Sequence, residues 1–385
     1  RLPPPARKWL RDRRLARQLR GLRAERVRQA GASQTSRDRL PIVSRGGNTE
    51  NRCVSSSSAR AFWVDMPGLG SIREEPLPAP SPAEALVRTA FTSVSRGTES
   101  LVFNGQVPRA EYQRMRAPFQ QGEFPGPVKY GYSNVGIVEA GPDDLVGCHV
   151  FSLFPHQTHF VAPTMVLHTI PDGVPLARAV LAANMETALN GVWDAGVRPG
   201  DRVAVVGGGT VGCLTAWLSA RIAGCDVCLI DALPARAEIA ARLGVRFARV
   251  GDAPHDQDVV IHASGSPEGL STALEIAEFD AVITEMSWFG SRSVSLPLGE
   301  AFHARRLTIR SSQVGHVSPI QRSRWDRRRR MQTALSLLTA PELDALIAGM
   351  TAQPPADHVV NVGSGRSTSV RDLTAAVSAA VGARI

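Results

Sequence analysis

From Ala59 onward the apolar positions come in brief runs cut by Pro and Gly clusters: RAFWV, EALVRTAFTSVS, YSNVGIVEAG, CHVFSLF and THFVAP. Such spacing predicts short strands joined by turns, a compact β-rich domain over residues 59–171. Around DGVPLARAVLAANMETALNGVWDAG, residues 172–196, the apolar period lengthens to that of a helix, which marks a domain hinge. Strands and helices then alternate. RVAVVG (202–207) leads to a helix from Thr210, DVCLID (226–231) to one over PARAEIAARLG, and DVVIHAS (258–264) to one over PEGLSTALEIA; AVITEMSWFG and LTIRSS follow. This alternation predicts an α/β domain over 172–350, a doubly wound parallel sheet with right-handed crossovers.

The two ends depart from that pattern. Residues 1–58 read as an Arg-rich helical stretch followed by a polar region ending in CVSSSSAR, and they hold 15 Arg or Lys against 4 Asp or Glu. The other residues hold 29 against 31, so the net charge of +9 belongs to the extension, and the near-neutral remainder argues against a basic nucleic-acid groove. The extension reads as disordered, as sequence upstream of the true start (the chain does not begin with Met), as an organelle transit peptide, or as a nucleic-acid arm. From Gln353 the chain reads as a Pro-rich break, one strand, a Gly/Ser loop and a helix started by a Ser369/Asp372 capping box.

At 385 residues, 43% hydrophobic and 21% charged, the chain has the composition of a soluble globular protein with two cores. No apolar run reaches the roughly 18 residues of a membrane span. Five scattered cysteines (Cys53, Cys148, Cys213, Cys225 and Cys228) do not form a secreted disulfide framework, and the expected compartment is a reducing cytoplasm. Cys225 and Cys228 form a CxxC inside an apolar strand pattern with no second ligand pair nearby, so they read as buried strand residues.

The chemistry begins at VVGGGTVG. Gly207, Gly209 and Gly212 stand in G-x-G-x-x-G spacing after an apolar strand, and Thr210 and Val211 open the following helix. The first glycine permits the turn, the second lets backbone approach a pyrophosphate, and the third lets helix and strand pack closely. The helix N-terminus offers N–H groups to phosphate. Asp231, closing the next strand, is placed to accept both ribose hydroxyls and would repel a 2′-phosphate, so NAD is expected over NADP; the first basic residue after it is Arg236. Ser264, in HASGS at the end of a later strand, is expected to touch the cofactor, while His262 reads as a packed strand residue.

A β-rich domain ahead of a dinucleotide domain resembles the medium-chain dehydrogenase/reductase superfamily, which includes the zinc alcohol dehydrogenases. SVSRGTES, FPGPVKYGYSNVGIVEAG, METALNGVWDAGVRPGDRVAVVGGGTVG and SSQVG carry the resemblance, in order, from about Arg60 to Met350. It implies a GroES-like substrate domain, a Rossmann domain and an NAD-linked alcohol or ketone redox step; homodimers through the dinucleotide sheet are usual in such families. Zinc-dependent members hold the metal in Cys-Gly-Thr-Asp-like and Gly-His-Glu motifs. Here those places read Arg96-Gly97-Thr98-Glu99 and Gly131-Tyr132-Ser133, and no cysteine lobe follows, so no metal is expected. SRGTES, the Gly-Tyr motif and PHQTHFV are most similar to a zinc-less branch that contains the bacteriochlorophyllide hydroxyethyl dehydrogenase.

Without zinc, side-chain donors must meet the charge that develops on the substrate oxygen. Tyr132 is the leading candidate. Arg96 would hold an oxyanion or carboxylate, with Glu99 relaying protons or holding Arg96; a structural Arg96/Glu99 ion pair is the plainer reading. Ser95 and Ser133 are minor donors. His156 and His159 form a possible relay, although loop histidines are commonly exposed. Thr187 would pass beside the nicotinamide by resemblance, or bond its own helix backbone. The last stretch, VVNVGSGRSTSVRDLTAAV, is similar to a segment of extended short-chain epimerases, but their Tyr-x-x-x-Lys pair is absent, and a fusion or chimera would explain both ends. The reading is therefore an NAD-dependent, zinc-independent oxidoreductase acting on a small alcohol or ketone, with no nucleic-acid or membrane partner; the alternative is a non-catalytic chain that retains the fold.

Overall fold

The computed structural model describes residues 58–351, with side chains to 347. The rest of the basic extension and the epimerase-like tail from Gln353 lie outside the described residues. The described part falls within one compact unit.

The first strand, β1 (Ser58–Met66), turns back antiparallel into β2 (Leu69–Pro76). The sequence pattern missed β2, because it lies at a sheet edge and alternates Ile72 with Arg73, Glu74 and Glu75 on an exposed ribbon. β3 (Glu84–Thr92) leads to helix α1 (Arg96–Phe103), then come β4 (Gln121–Gly122) and β5 (Val128–Lys129). β6 (Asn134–Ala140), β7 (His149–Ser152), β8 (His159–Pro163) and β9 (His168–Thr169) complete the β-rich half. Two antiparallel sheets result, ordered β2-β1-β5-β4 and β8-β3-β6-β7-β9.

Helical periodicity appears where the sequence places it, but in two pieces: α2 (Leu176–Ala179) and α3 (Ala182–Ala195). α3 ends on Gly196 at φ +69°, the left-handed C-terminal position that glycine occupies without strain. Beyond it lie β10 (Arg202–Val206), α4 (Thr210–Ser219), β11 (Asp226–Ile230), α5 (Arg236–Arg242), β12 (Arg246–Ala248) and β13 (Gln257–His262). α6 (Pro267–Ile276), β14 (Ala277–Glu285), β15 (Thr308–Ser311), α7 (Arg327–Leu337) and α8 (Asp344–Thr351) follow.

The sheet runs β12-β11-β10-β13-β14-β15, with all adjacent pairs parallel. Helices cover it, so the inner strands are buried on both faces: after their first residue, β10 and β11 are wholly buried. The strand order reverses between β10 and β13, which opens a crevice at their carboxyl ends where this architecture binds ligands. The largest apolar cluster joins the two halves: Val135 and Phe151 of the β-rich sheet pack in one core with Val203, Val205 and Leu229.

Candidate active site

Gly207 sits at the reversal point with φ +114°, and a Cβ there would lie 2.6 Å from the Ser264 amide nitrogen. A Cβ on Gly212 would collide with the Gly207 carbonyl oxygen. Glycine is thus required at both positions so that strand, turn and helix can approach one another. Gly209 is the N-cap of α4 and contributes no side-chain cap, so the amides of the first turn, around half-buried Thr210 and Val211, remain available for an anion. Asp231 lies half-buried beside this turn, where Oδ2 accepts from Gly208 N (2.6 Å) and Oδ1 from Leu233 N (2.8 Å). Its fixed carboxylate has lone pairs left for hydroxyl donors.

The turn has basic neighbours that the linear order conceals. A Cβ on Gly208 would lie 3.2 Å from Asp231 Oδ2 and 3.1 Å from Arg236 Cγ, so Arg236 folds back over the turn beside the acid. Half-buried Arg96 comes from the β-rich half into electrostatic reach of both. Its guanidinium pKa is lowered by burial and then by the charge of Arg236, against the opposing pull of Asp231.

In the β-rich half, α1, the loop before β6 and the loop between β7 and β8 bring Glu99, Tyr132 and His156 together. His156 is not an exposed loop histidine: it is 1% exposed, and Glu99 is 4% exposed. Its Nε2 lies 2.6 Å from Glu99 Oε2 and its Nδ1 lies 2.6 Å from Thr92 Oγ1. Thr92 spends its single hydroxyl proton on the Ser133 carbonyl (2.7 Å), so Nδ1–H donates to Thr92 and the short Nε2–Glu99 contact shares a second proton. The other Glu99 oxygen accepts from Ser95 N at 2.7 Å. Each Glu99 oxygen thus has one close partner, and Glu99 and His156 form a buried carboxyl–imidazole pair. Gly131 makes room for that pair, since a Cβ there would lie 2.8 Å from His156 Nε2 and 3.1 Å from its backbone nitrogen.

The Tyr132 ring meets Tyr130 edge-on (centroids 6.0 Å apart), and its hydroxyl bonds the side chains of Ser95 and Thr98. Burial, then the nearby Glu99 carboxyl, raise the phenol pKa well above its ordinary value, so the hydroxyl stays protonated and serves as a donor. Ser133 Oγ donates to Val180 O (2.6 Å), which ties this loop to the chain entering α3. Thr187 Oγ1 donates to Ala183 O (2.8 Å) within α3. His159 lies apart from the Glu99 pair, facing Glu139 at 3.8 Å.

Residues that sequence reasoning missed hold this end in place. Arg330 of α7, 1% exposed, donates to Glu186 Oε1 (3.0 Å), Asn190 Oδ1 (2.5 Å), Val314 O (2.6 Å) and His316 O (3.2 Å), locking α3 to the loop after β15. No local motif announces Thr92 or Arg330; both act through partners distant in sequence. Among the described residues no group of three or more His, Cys, Asp or Glu stands together to hold a metal ion. None of the described helices is long and apolar enough to cross a membrane.

Two antiparallel sheets joined to a six-stranded parallel sheet, with a glycine turn at the strand reversal, define an α/β fold in which a GroES-like half precedes a Rossmann half. The chain is similar to the D-guloside 3-dehydrogenase of Escherichia coli, 26% identical over 285 residues that span 66% of this chain and 81% of that one. Among solved structures it superposes on L-idonate 5-dehydrogenase of Escherichia coli (TM-score 0.60, 14% identity, 75% and 89% of the two chains). It also superposes on an alcohol dehydrogenase of Escherichia coli complexed with NADH (TM-score 0.58, 17% identity, 75% and 90%). No family model matches the chain.

Proposed function

We propose that this chain is an NAD-dependent, zinc-independent oxidoreductase that interconverts a secondary alcohol and a ketone. The observation that carries the reading is the donor set where zinc-dependent relatives place ligands: a protonated phenol at Tyr132 and a guanidinium at Arg96, backed by the buried Glu99–His156 pair. Neither a protonated phenol nor a cation binds Zn²⁺.

Gly207 to Gly212 would hold the pyrophosphate of a dinucleotide and Asp231 its ribose hydroxyls. When bound, the nicotinamide supplies the hydride acceptor. The protein must then stabilise the substrate oxygen and take its proton. The Tyr132 hydroxyl donates to that oxygen, Arg96 adds positive potential, and the Glu99–His156 pair behind Tyr132 serves as a proton relay rather than as a free base. Preference for NAD rests on Asp231; Arg236 beside it makes direct comparison of NADH and NADPH binding the informative measurement.

The test is turnover of purified protein with NAD and a panel of secondary alcohols that includes a D-guloside, before and after dialysis against a chelator. Nicotinamide reduction that survives chelation is the expected result. Activity lost on chelation and restored by zinc removes the metal-free mechanism, and absence of any NADH binding removes the dehydrogenase reading altogether.

A further inference from the structure

A second constellation stands apart from Tyr132, at the carboxyl ends of β13 and β14. The register pairs His262 with Glu285, the last residues of the two strands. His262 is fully buried, with Nδ1 2.6 Å from Glu285 Oε2 and Nε2 2.6 Å from Ser264 Oγ. The other Glu285 oxygen accepts from Ser287 N (2.6 Å), and Ser287 Oγ accepts from Gly265 N (3.0 Å), so the acid and the loop opposite it are fixed. Phe289 lies parallel to the imidazole at 6.3 Å, and the Arg292 guanidinium stands over Phe289 at 5.6 Å while donating to Gly265 O. Ser264, alone of the three, is exposed.

This is the geometry of an activated hydroxyl: nucleophile, base and orienting acid linked by two short hydrogen bonds, with the base buried and only the nucleophile facing solvent. With Nδ1–H donated to Glu285, Nε2 is the lone pair that receives the Ser264 proton. Ser266 N also donates to Ser264 Oγ (3.1 Å), which supports negative charge developing on that oxygen. α6, ten residues long and capped by Ser266 Oγ accepting from Gly269 N (3.1 Å), begins three residues beyond Ser264, with its positive end beside the site. Glycine at 269 is needed there because a Cβ would meet Ser264 Oγ.

We propose that Ser264, His262 and Glu285 form a nucleophilic triad that takes acyl or phosphonyl groups from small activated esters and fluorophosphonates, an activity separate from hydride transfer. In the acyl case, with an aryl ester, the Ser264 Oγ–carbon bond forms and the carbon–aryloxy oxygen bond breaks, while the Ser264 proton passes to His262 Nε2 and from there to the departing phenol. Water, deprotonated by the same nitrogen, then releases the acid. With a fluorophosphonate the Oγ–phosphorus bond forms, the phosphorus–fluorine bond breaks, and fluoride departs as the proton moves to His262.

The experiment treats the full chain with an alkyl fluorophosphonate probe and follows intact mass and peptide maps. One phosphonyl group on Ser264 is expected, absent in Ser264→Ala and slowed at least ~100-fold in His262→Gln, the usual worth of a positioned general base. Ser264→Cys, carrying a nucleophile of the same shape, is expected to take iodoacetamide at that position, which establishes access in a folded chain. No adduct on Ser264 in the wild type while Ser264→Cys is alkylated, or labelling at the wild-type rate in His262→Gln, overturns the triad.

Discussion

Replacing Gly131 by Ala tests the buried pair without needing a substrate. The backbone at Gly131 has φ +125°, where an L side chain is strained by about 1–3 kcal/mol. The added methyl would also lie 2.7 Å from His156 Cδ2 and 2.8 Å from Nε2, inside any normal contact. Rotating the imidazole is no full escape, because the His156 backbone nitrogen is 3.1 Å from the same point. His156 must therefore move and release Glu99, which is 4% exposed. Losing one partner of a buried pair costs about 3–5 kcal/mol. Together the terms are comparable with the roughly 5–15 kcal/mol that holds a domain folded. Urea denaturation followed by tryptophan fluorescence is the assay, applied to Gly131→Ala, His156→Ala and the double variant. Removing the imidazole removes the collision, so the double variant should be more stable than additivity predicts by about 1–3 kcal/mol. A loss below about 1 kcal/mol in Gly131→Ala, or a cycle additive within about 0.5 kcal/mol, refutes the account.

Three further outcomes are expected. Tyr132→Phe keeps the ring packing and removes the donor, so kcat should fall about 100-fold or more with KM changed little, as steady-state kinetics would measure; an unchanged kcat removes Tyr132 from the chemistry. His168 is pushed down to about 4 by burial and by the charge of Arg328, so its neutral form is favoured in the folded chain. Its contribution is complete above the ordinary histidine pKa and is lost as pH falls towards about 4. His168→Gln should flatten that part of the stability profile, and Arg328→Gln should raise the imidazole pKa seen by NMR titration. Arg330→Ala, which strands Glu186 and two carbonyls, should cost about 3–5 kcal/mol in denaturation experiments, with partial rescue by Arg330→Lys.

The parallel sheet was legible because strands buried on both faces leave continuous apolar runs, as RVAVV and DVCLI do. The glycine turn was legible because its requirements are local: Gly207 and Gly212 each answer a backbone contact, with the loop after the adjacent strand and within the turn. β2 was not, because an exposed edge ribbon needs no apolar alternation. The Glu99–His156 pair joins residues 57 positions apart through the stacking of α1 on a loop, and no local period encodes that distance. His262 and Glu285 meet only because β13 and β14 run in register, which the sequence does not reveal before the pairing is known. Arg236 was visible as a downstream residue, but the return of its helix over Gly208, which sets its charge against Asp231, is a property of packing.

The core that Val135 and Phe151 share with Val203, Val205 and Leu229 makes the chain indivisible at the bench. Cut near residue 172, either piece would present apolar side chains to water where the other now covers them, and each should be recovered as aggregate. Co-expression of the two pieces, rather than mixing after purification, is then the route by which a split version could reassemble, and intact protein should show one heat-absorption peak instead of two.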